Sequence, residues 1–448
     1  MSTAGVLHRD RAGLPLHAAS GAAVAAFDAL IDDYAAFRSS VPDRLRALLA
    51  ADADMPLAHS IRAALLMLSG KGDLRPVARS AAAVAVRLSA AATPREQLHA
   101  EAVHAWSNGA PDRALRCWES ALALAPTDLL ALKLAQFAHF YAGDTRAMLQ
   151  STDRVHAAWH PELPHYPRFL GVRAFALEEA GELDAAEAAG RDAVARADDD
   201  PWAVHAVAHC LETRGRPVDG AAWISQQAAH WQDAGTMTGH LRWHHALFLL
   251  ETESPEDVLA QLDAGMHPAA SDEYLDLCND VSLLQRLELL GIDAGDRWQP
   301  LADAIAARTV DRMLPFCDVH WVLGLAAAGR FAAADALIDD LATRSETMIP
   351  GAQSEIETLR SAALPLARGL RHWRAGDWTQ ALETIGDCRD RIHRIGGSHA
   401  QRDLFDQILI ACALRAGADD HARHLLRGRR LRRPAERFAT VIEACHGR

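Results

Sequence analysis

Glycines recur at Gly109, Gly143, Gly181 and Gly215, separated by 34, 38 and 34 residues. Each follows an apolar stretch with helical periodicity and precedes another, so each spacing encloses two helices joined by a tight turn. A unit of this size cannot bury its apolar face alone; it must stack on its neighbours, and stacking produces a solenoid. Looser units surround Gly329, Gly376 and Gly417, at intervals of 47 and 41 residues. Alternating Val/Ile/Thr-rich runs are nearly absent, which excludes a sheet-based fold. The expected fold is all-α, a superhelix of helix-turn-helix pairs.

Within the unit Glu101–Asp128, "EAVHAWSNGAPDRALRCWESALALAPTD", the small residue Ala102 precedes an Asn108-Gly109 turn. Ala114, Trp118 and Ala121 follow at helical spacing, and Pro126 closes the unit. This is the tetratricopeptide pattern, in which small residues let paired helices approach closely. The expected organisation is a single α-solenoid over 1–448. It has N-terminal capping helices over 1–95, central repeats over 96–260, and divergent repeats with a cap over 261–448.

Composition narrows the function classes. A formal net charge of −13 argues against a general nucleic-acid or anionic-membrane surface. The basic run Arg423–Arg437 is expected to be a packed or solvated helix end. No apolar run reaches the length of a membrane span, and the first residues lack the apolar core of a signal peptide. Cys117, Cys210, Cys278, Cys317, Cys388, Cys412 and Cys445 are scattered without a C-x-x-C, as expected of reduced cytoplasmic thiols.

Several segments carry a family resemblance over essentially the whole chain: "DRAGLPLHAAS", "AADADMPLAHS", "RAFALEEAGELDAAE", "WAVHAVAHCLETRGRPVDGAAWI", "GHLRWHHALFLLE", "DVHWVLGLAAAGR" and "IGGSHAQRDLF". On these the chain resembles the tetratricopeptide-repeat protein 38 family. The resemblance implies an α-helical, cytoplasmic protein and supplies no reaction. His17 stands where the family pattern has Ser, so that position is given no role.

The chemistry concentrates in "PWAVHAVAHCLETRGR". His205, His209 and Glu212 stand at offsets of 0, 4 and 7, on one face of a helix. Aligning the repeat glycines places Trp202, His205, His209 and Glu212 at groove-facing positions. One unit earlier the same positions hold Arg168, Gly171, Phe175, Glu178 and Glu179. One unit later they hold His244 and Glu251, with His240 a turn before and Trp243 beside it. Asp318 and His320 are expected at the groove edge.

Four chemistries suit such a wall. His205, His209, His244 and Glu212 could ligate a divalent transition metal such as Zn, Mn or Fe. The same four could act as metal-free acid–base catalysts on a small molecule. Arg168 and the histidines could bind the anionic end of a small molecule or short peptide while Trp202 and Trp243 pack its apolar part. Or histidine and glutamate could satisfy each other in a buried seam. The leading expectation is a binding protein with a partly enclosed groove, and the alternative is an enzyme. Neither nucleic acid nor membrane is an expected partner, and the pattern carries no mark of oligomeric state. The Pro-rich run His160–Pro167 and the chain ends are expected to cover the groove, and Ser398 to cap a helix after Gly396-Gly397.

Overall fold

The computed structural model describes residues 6–252, 255–264, 271–434 and 436–446. The side chains of 255, 256, 445 and 446, Cys445 among them, lie outside that description. The architecture is the expected all-α superhelix of paired helices. The central pairs are Pro94–Ser107 with Pro111–Leu124, Leu129–Tyr141 with Thr145–His156, Tyr166–Glu179 with Leu183–Arg196, and Pro201–Thr213 with Pro217–Gln226. Thr236–Glu251, Tyr274–Leu289, Pro315–Ala327 and Leu364–Ala375 open the later pairs, and His399–Arg415 leads the last. No described helix is long and apolar enough to cross a membrane.

Local chemistry sets the boundaries. Proline stands in the first turn of Pro94–Ser107, Pro111–Leu124 and Pro201–Thr213, where its missing N–H costs nothing. The Asp128, Asp144 and Asp200 carboxylates accept from first-turn N–H groups, and Thr93 with Glu96 closes a capping box. Ala174 and Ala208 are fully buried in the seams between helices. Gly190 is needed there too, since a Cβ on it would sit 2.6 Å from Val207 Cγ2.

One element departs from the sequence reading. Val6–Arg9 pairs antiparallel with Pro15–Ala18 before the first helix, Gly21–Ala35. The strands are four residues each, too short for alternation to register, and a turn through Gly13 at φ 78° joins them.

The superhelix closes on itself. Gly72 N–H donates to Asp311 Oδ1 at 2.8 Å, and Lys71 pairs with Asp272 at 2.6 Å. On the inner side, the segment from Arg389 to Gln401 docks against the central repeats. His399 N–H donates to Glu179 Oε1 at 2.9 Å, and Gly396 packs on the Tyr141 carbonyl. Ser398 caps the next helix through a capping box with Gln401, as its position after the double glycine suggested. The Pro-rich run does not cover the groove: His165 binds Asp32 of the first helix at 2.9 Å, and Leu163 and Tyr166 pack on the N-terminal core. The cover comes from the C-terminal segment, because the superhelical curvature brings the last units back against the middle ones.

Candidate metal centre

Four imidazoles converge where the Pro201–Thr213 and Thr236–Glu251 helices pack. His205 and His209 are one turn apart on the first, His240 and His244 one turn apart on the second, so two i, i+4 pairs face each other. His205 Nε2 lies 2.8 Å from His209 Nε2 and 3.0 Å from His240 Nε2. One nitrogen from each of the four histidines falls within 4.8 Å of the others. All four side chains are buried, from 0% exposed at His209 and His244 to 4% at His240.

This geometry is hard to satisfy by hydrogen bonding alone. An Nε2 offers either one N–H or one in-plane lone pair, so His205 Nε2 cannot serve two close nitrogen neighbours well. His244 Nε2 has no hydrogen-bond partner among the described residues. Burial holds the imidazoles neutral: the values of His205, His209 and His240 are pushed well below the ordinary one by desolvation, and next by each other or by His244. His244 is pushed down to about 3, first by burial and then by the Arg286 guanidinium. Neutral imidazole is the form that donates to a metal.

Two of the opposite ring nitrogens, those of His244 and His240, are held from behind, while His205 Nδ1 has no hydrogen-bond partner among the described residues. His244 Nδ1–H donates to Glu212 Oε2 at 3.2 Å. His209 Nδ1 stands 3.6 Å from Glu178 Oε2. Asn279 Nδ2 lies 3.3 Å from His240 Nδ1, and Asn279 Oδ1 has no partner. Exchanging the amide's ends lets Oδ1 accept from Nδ1–H and frees the Nε2 lone pair. Carboxylate or amide on Nδ1 with Nε2 turned inward is the arrangement that orients ligating histidines. Glu178 is itself raised well above the ordinary carboxyl value by burial and by Glu179, so a cation nearby would favour its ionised form.

Aromatic rings close the shell. Trp243 stacks on His240 at 5.3 Å and 11°, and Phe175 on His205 at 5.3 Å and 28°. Trp202 lies 5.0 Å from His205 and donates through Nε1 to Gln136.

The site residues read from sequence therefore separate into groups. His205, His209, His240 and His244 come together. Glu212 stands on the Nδ1 side of His244, and Glu178 lies beside His209, where it, Glu179 and His209 form a second group of closely spaced donor atoms. Trp202 and Trp243 are wall residues, packed and buried. Four residues lie elsewhere. Arg168 pairs with Asp199 at 2.5 Å and Asp200 at 3.6 Å at the helix start. Asp318 pairs with Arg344 at 2.6 Å. His320 Nδ1–H donates to the Phe316 carbonyl at 2.7 Å. Glu251 accepts from Arg437 N–H at 2.8 Å. Each of these side chains takes a nearer partner, from its own helix, from the next helix or repeat, or from the last helices, which repeat register alone does not reveal.

Asn279, Arg286 and Lys133 escaped the sequence reading. Lys133, one of two lysines in the chain, lies buried 4.2 Å over the Phe37 ring, its ammonium pulled down to about 7 by desolvation. Arg286 interrupts the leucine run "SLLQRLELL", a signal of a buried charge.

No family model matches the sequence. Among solved structures, that of Naa15/Naa10 bound to HypK-THB aligns at 15% identity over 93% of this chain, with a TM-score of 0.26. This chain spans 64% of the length of that one. The chain is a tetratricopeptide-like helical repeat by its own architecture, and the narrower family resemblance rests on the quoted segments.

Proposed function

We propose that this protein is a helical-repeat binding protein built around a buried transition-metal centre. His205, His209, His240 and His244 are the ligands; Glu212 and Asn279 hold the His244 and His240 rings, and Glu178 stands beside His209. The observation that carries the reading is the convergence of four neutral imidazole nitrogens within 4.8 Å. In a tetrahedral Zn–N site of ordinary bond length, ligand nitrogens are about 3.3 Å apart, a small adjustment from this arrangement. An all-imidazole set suits zinc, and suits copper, nickel or iron better than manganese, which prefers oxygen. Two carboxylates just outside the ligand shell offset the ion's charge. Four protein ligands and near-zero exposure make this a closed site, and a closed site favours bracing the repeats over turnover. The Arg389–Gln401 segment packs against the central repeats beside the ligands, with His399 N–H on Glu179, which supports a small ligand over a long peptide. We also propose that the ion ties two successive repeats into one unit spanning 1–448.

The test is metal analysis of the full chain purified without a histidine tag. About one equivalent of transition metal is expected, lost in His205→Ala and in His240→Ala. Cobalt(II) added to stripped protein should give the intense visible bands of a tetrahedral nitrogen site. Metal-free protein that takes up neither zinc nor cobalt would overturn the reading.

A further inference from the structure

A second site lies one residue behind the metal centre. A cavity of about 310 Å³ opens between the Thr236–Glu251 and Tyr274–Leu289 helices and the last helices of the chain. Its apolar side is formed by Leu247, Phe248, Leu290 and Phe438. Its polar side carries Arg286, Arg433, Glu212, Glu251, Asp403 and Glu436. A polar wall facing an apolar one suits an amphipathic ligand of small size.

The partners of the charged groups decide the ligand's sign. Asp403 receives two bonds from Arg429, at 2.6 and 2.7 Å. Glu436 is bound by the same guanidinium. Glu251 accepts from Arg437 N–H, and burial raises its carboxyl to about 7, so near neutrality it is partly protonated. Glu212 accepts from His244 Nδ1–H and keeps its charge. Arg286 meets no carboxylate directly: it is 4% exposed, and its acceptors are all neutral, namely Ser282 Oγ, the Ser282 carbonyl at 3.4 Å and the Ala400 carbonyl at 2.7 Å, while Asp403 and Glu212 act on its charge from farther off. Among the described residues no carboxylate is in ion-pair contact with it. Arg433 faces three carboxylates, those of Glu436, Glu212 and Asp403, all at long range, 3.5, 3.8 and 3.9 Å. A buried guanidinium with no carboxylate in direct contact is costly, and a carboxylate placed against Arg286 lowers that cost.

We infer that this cavity binds a small organic carboxylate with an apolar body, its carboxylate on Arg286 and Arg433 and its hydrocarbon against Leu247, Phe248, Leu290 and Phe438. The volume is that of about ten water molecules, which fits a ligand of roughly that many non-hydrogen atoms. The planar, bidentate match between guanidinium and carboxylate supplies the preference for that head group. The site does not require the metal, so it stands or falls separately from the metal reading.

The experiment titrates the full chain with 3-phenylpropionate and with its uncharged amide, 3-phenylpropanamide, followed by calorimetry and ligand-observed NMR. The carboxylate is expected to bind at least tenfold more tightly than the amide. Arg286→Met should erase that difference. Leu290→Trp, which fills the cavity from its apolar side and leaves the guanidinium intact, should abolish binding of both probes while metal content stays at the wild-type level. It also decides the matter if Arg286→Met does not fold. Equal affinity for acid and amide in the wild type overturns the inference. So does no binding of either probe, or binding that survives Leu290→Trp.

Discussion

Glu212 joins the two candidate sites: its Oε2 accepts from His244 Nδ1 at 3.2 Å, and its Oε1 lies 3.8 Å from Arg433 on the cavity wall. One carboxylate thus orients a ring of the four-histidine cluster and forms part of the adjoining cavity.

From that contact, Glu212→Gln is expected to lower metal affinity about 10–100-fold, the usual cost of losing a carboxylate behind a histidine ligand. The folded helix content should be unchanged. Competition against a chelator of known affinity measures it, and an unaltered constant would show that Glu212 does not support the centre.

Glu251 gives a pH dependence whose sign follows from its environment. Its carboxyl, ordinarily near 4.5, is raised to about 7, chiefly by burial. The folded state therefore holds a proton that the unfolded state has released, and the associated stability is complete below 4.5 and is lost as pH rises through 7. Glu251→Gln keeps an acceptor for Arg437 N–H and removes the titration. Ligand-free Glu251→Gln should then be more stable than wild type by about 2 kcal/mol at pH 8, after discounting for partial exposure, and nearly equal to it at pH 4.5. Urea denaturation at the two pH values checks this; a difference independent of pH would refute it.

Closure of the superhelix depends on Gly143. Its φ of 66° is one that glycine adopts readily, and a Cβ there would sit 1.9 Å from the His393 carbonyl oxygen. Gly143→Ala should cost about 2 kcal/mol or more. Hydrogen exchange should quicken across Arg389–Gln401 before it does in the Pro201–Thr213 helix. Uniform exchange would mean that this contact does not hold the C-terminal segment in place.

The repeat seams predict an overpacking effect at Ala208, which is 0% exposed on the helix that carries His205 and His209. Ala208→Leu should cost about 1–3 kcal/mol and loosen metal retention as the two helices move apart. Thermal unfolding with metal analysis on the same sample tests both effects. A stable variant with full metal content would place slack in a seam that the structure shows to be tight.

What the sequence by itself determined is what helix geometry determines locally. Glycine spacing and the 3.6-residue period yielded the paired helices, and the offsets of 4 placed His205 with His209 and His240 with His244. Repeat alignment was enough to point both pairs toward one region, because neighbouring units are related by a nearly constant step. That His240 completes the four-imidazole cluster while Glu212 stands on the Nδ1 side of His244 was not legible, because it depends on the crossing of two helices. The cover over the cluster and the neutral acceptors of Arg286 were further out of reach. Curvature adds up over many units before His399 meets Glu179, 220 residues away in sequence, or Arg286 meets the Ala400 carbonyl, 114 residues away. Such contacts follow from the whole superhelix, whose accumulated twist no single repeat encodes, so only the tertiary structure decided them.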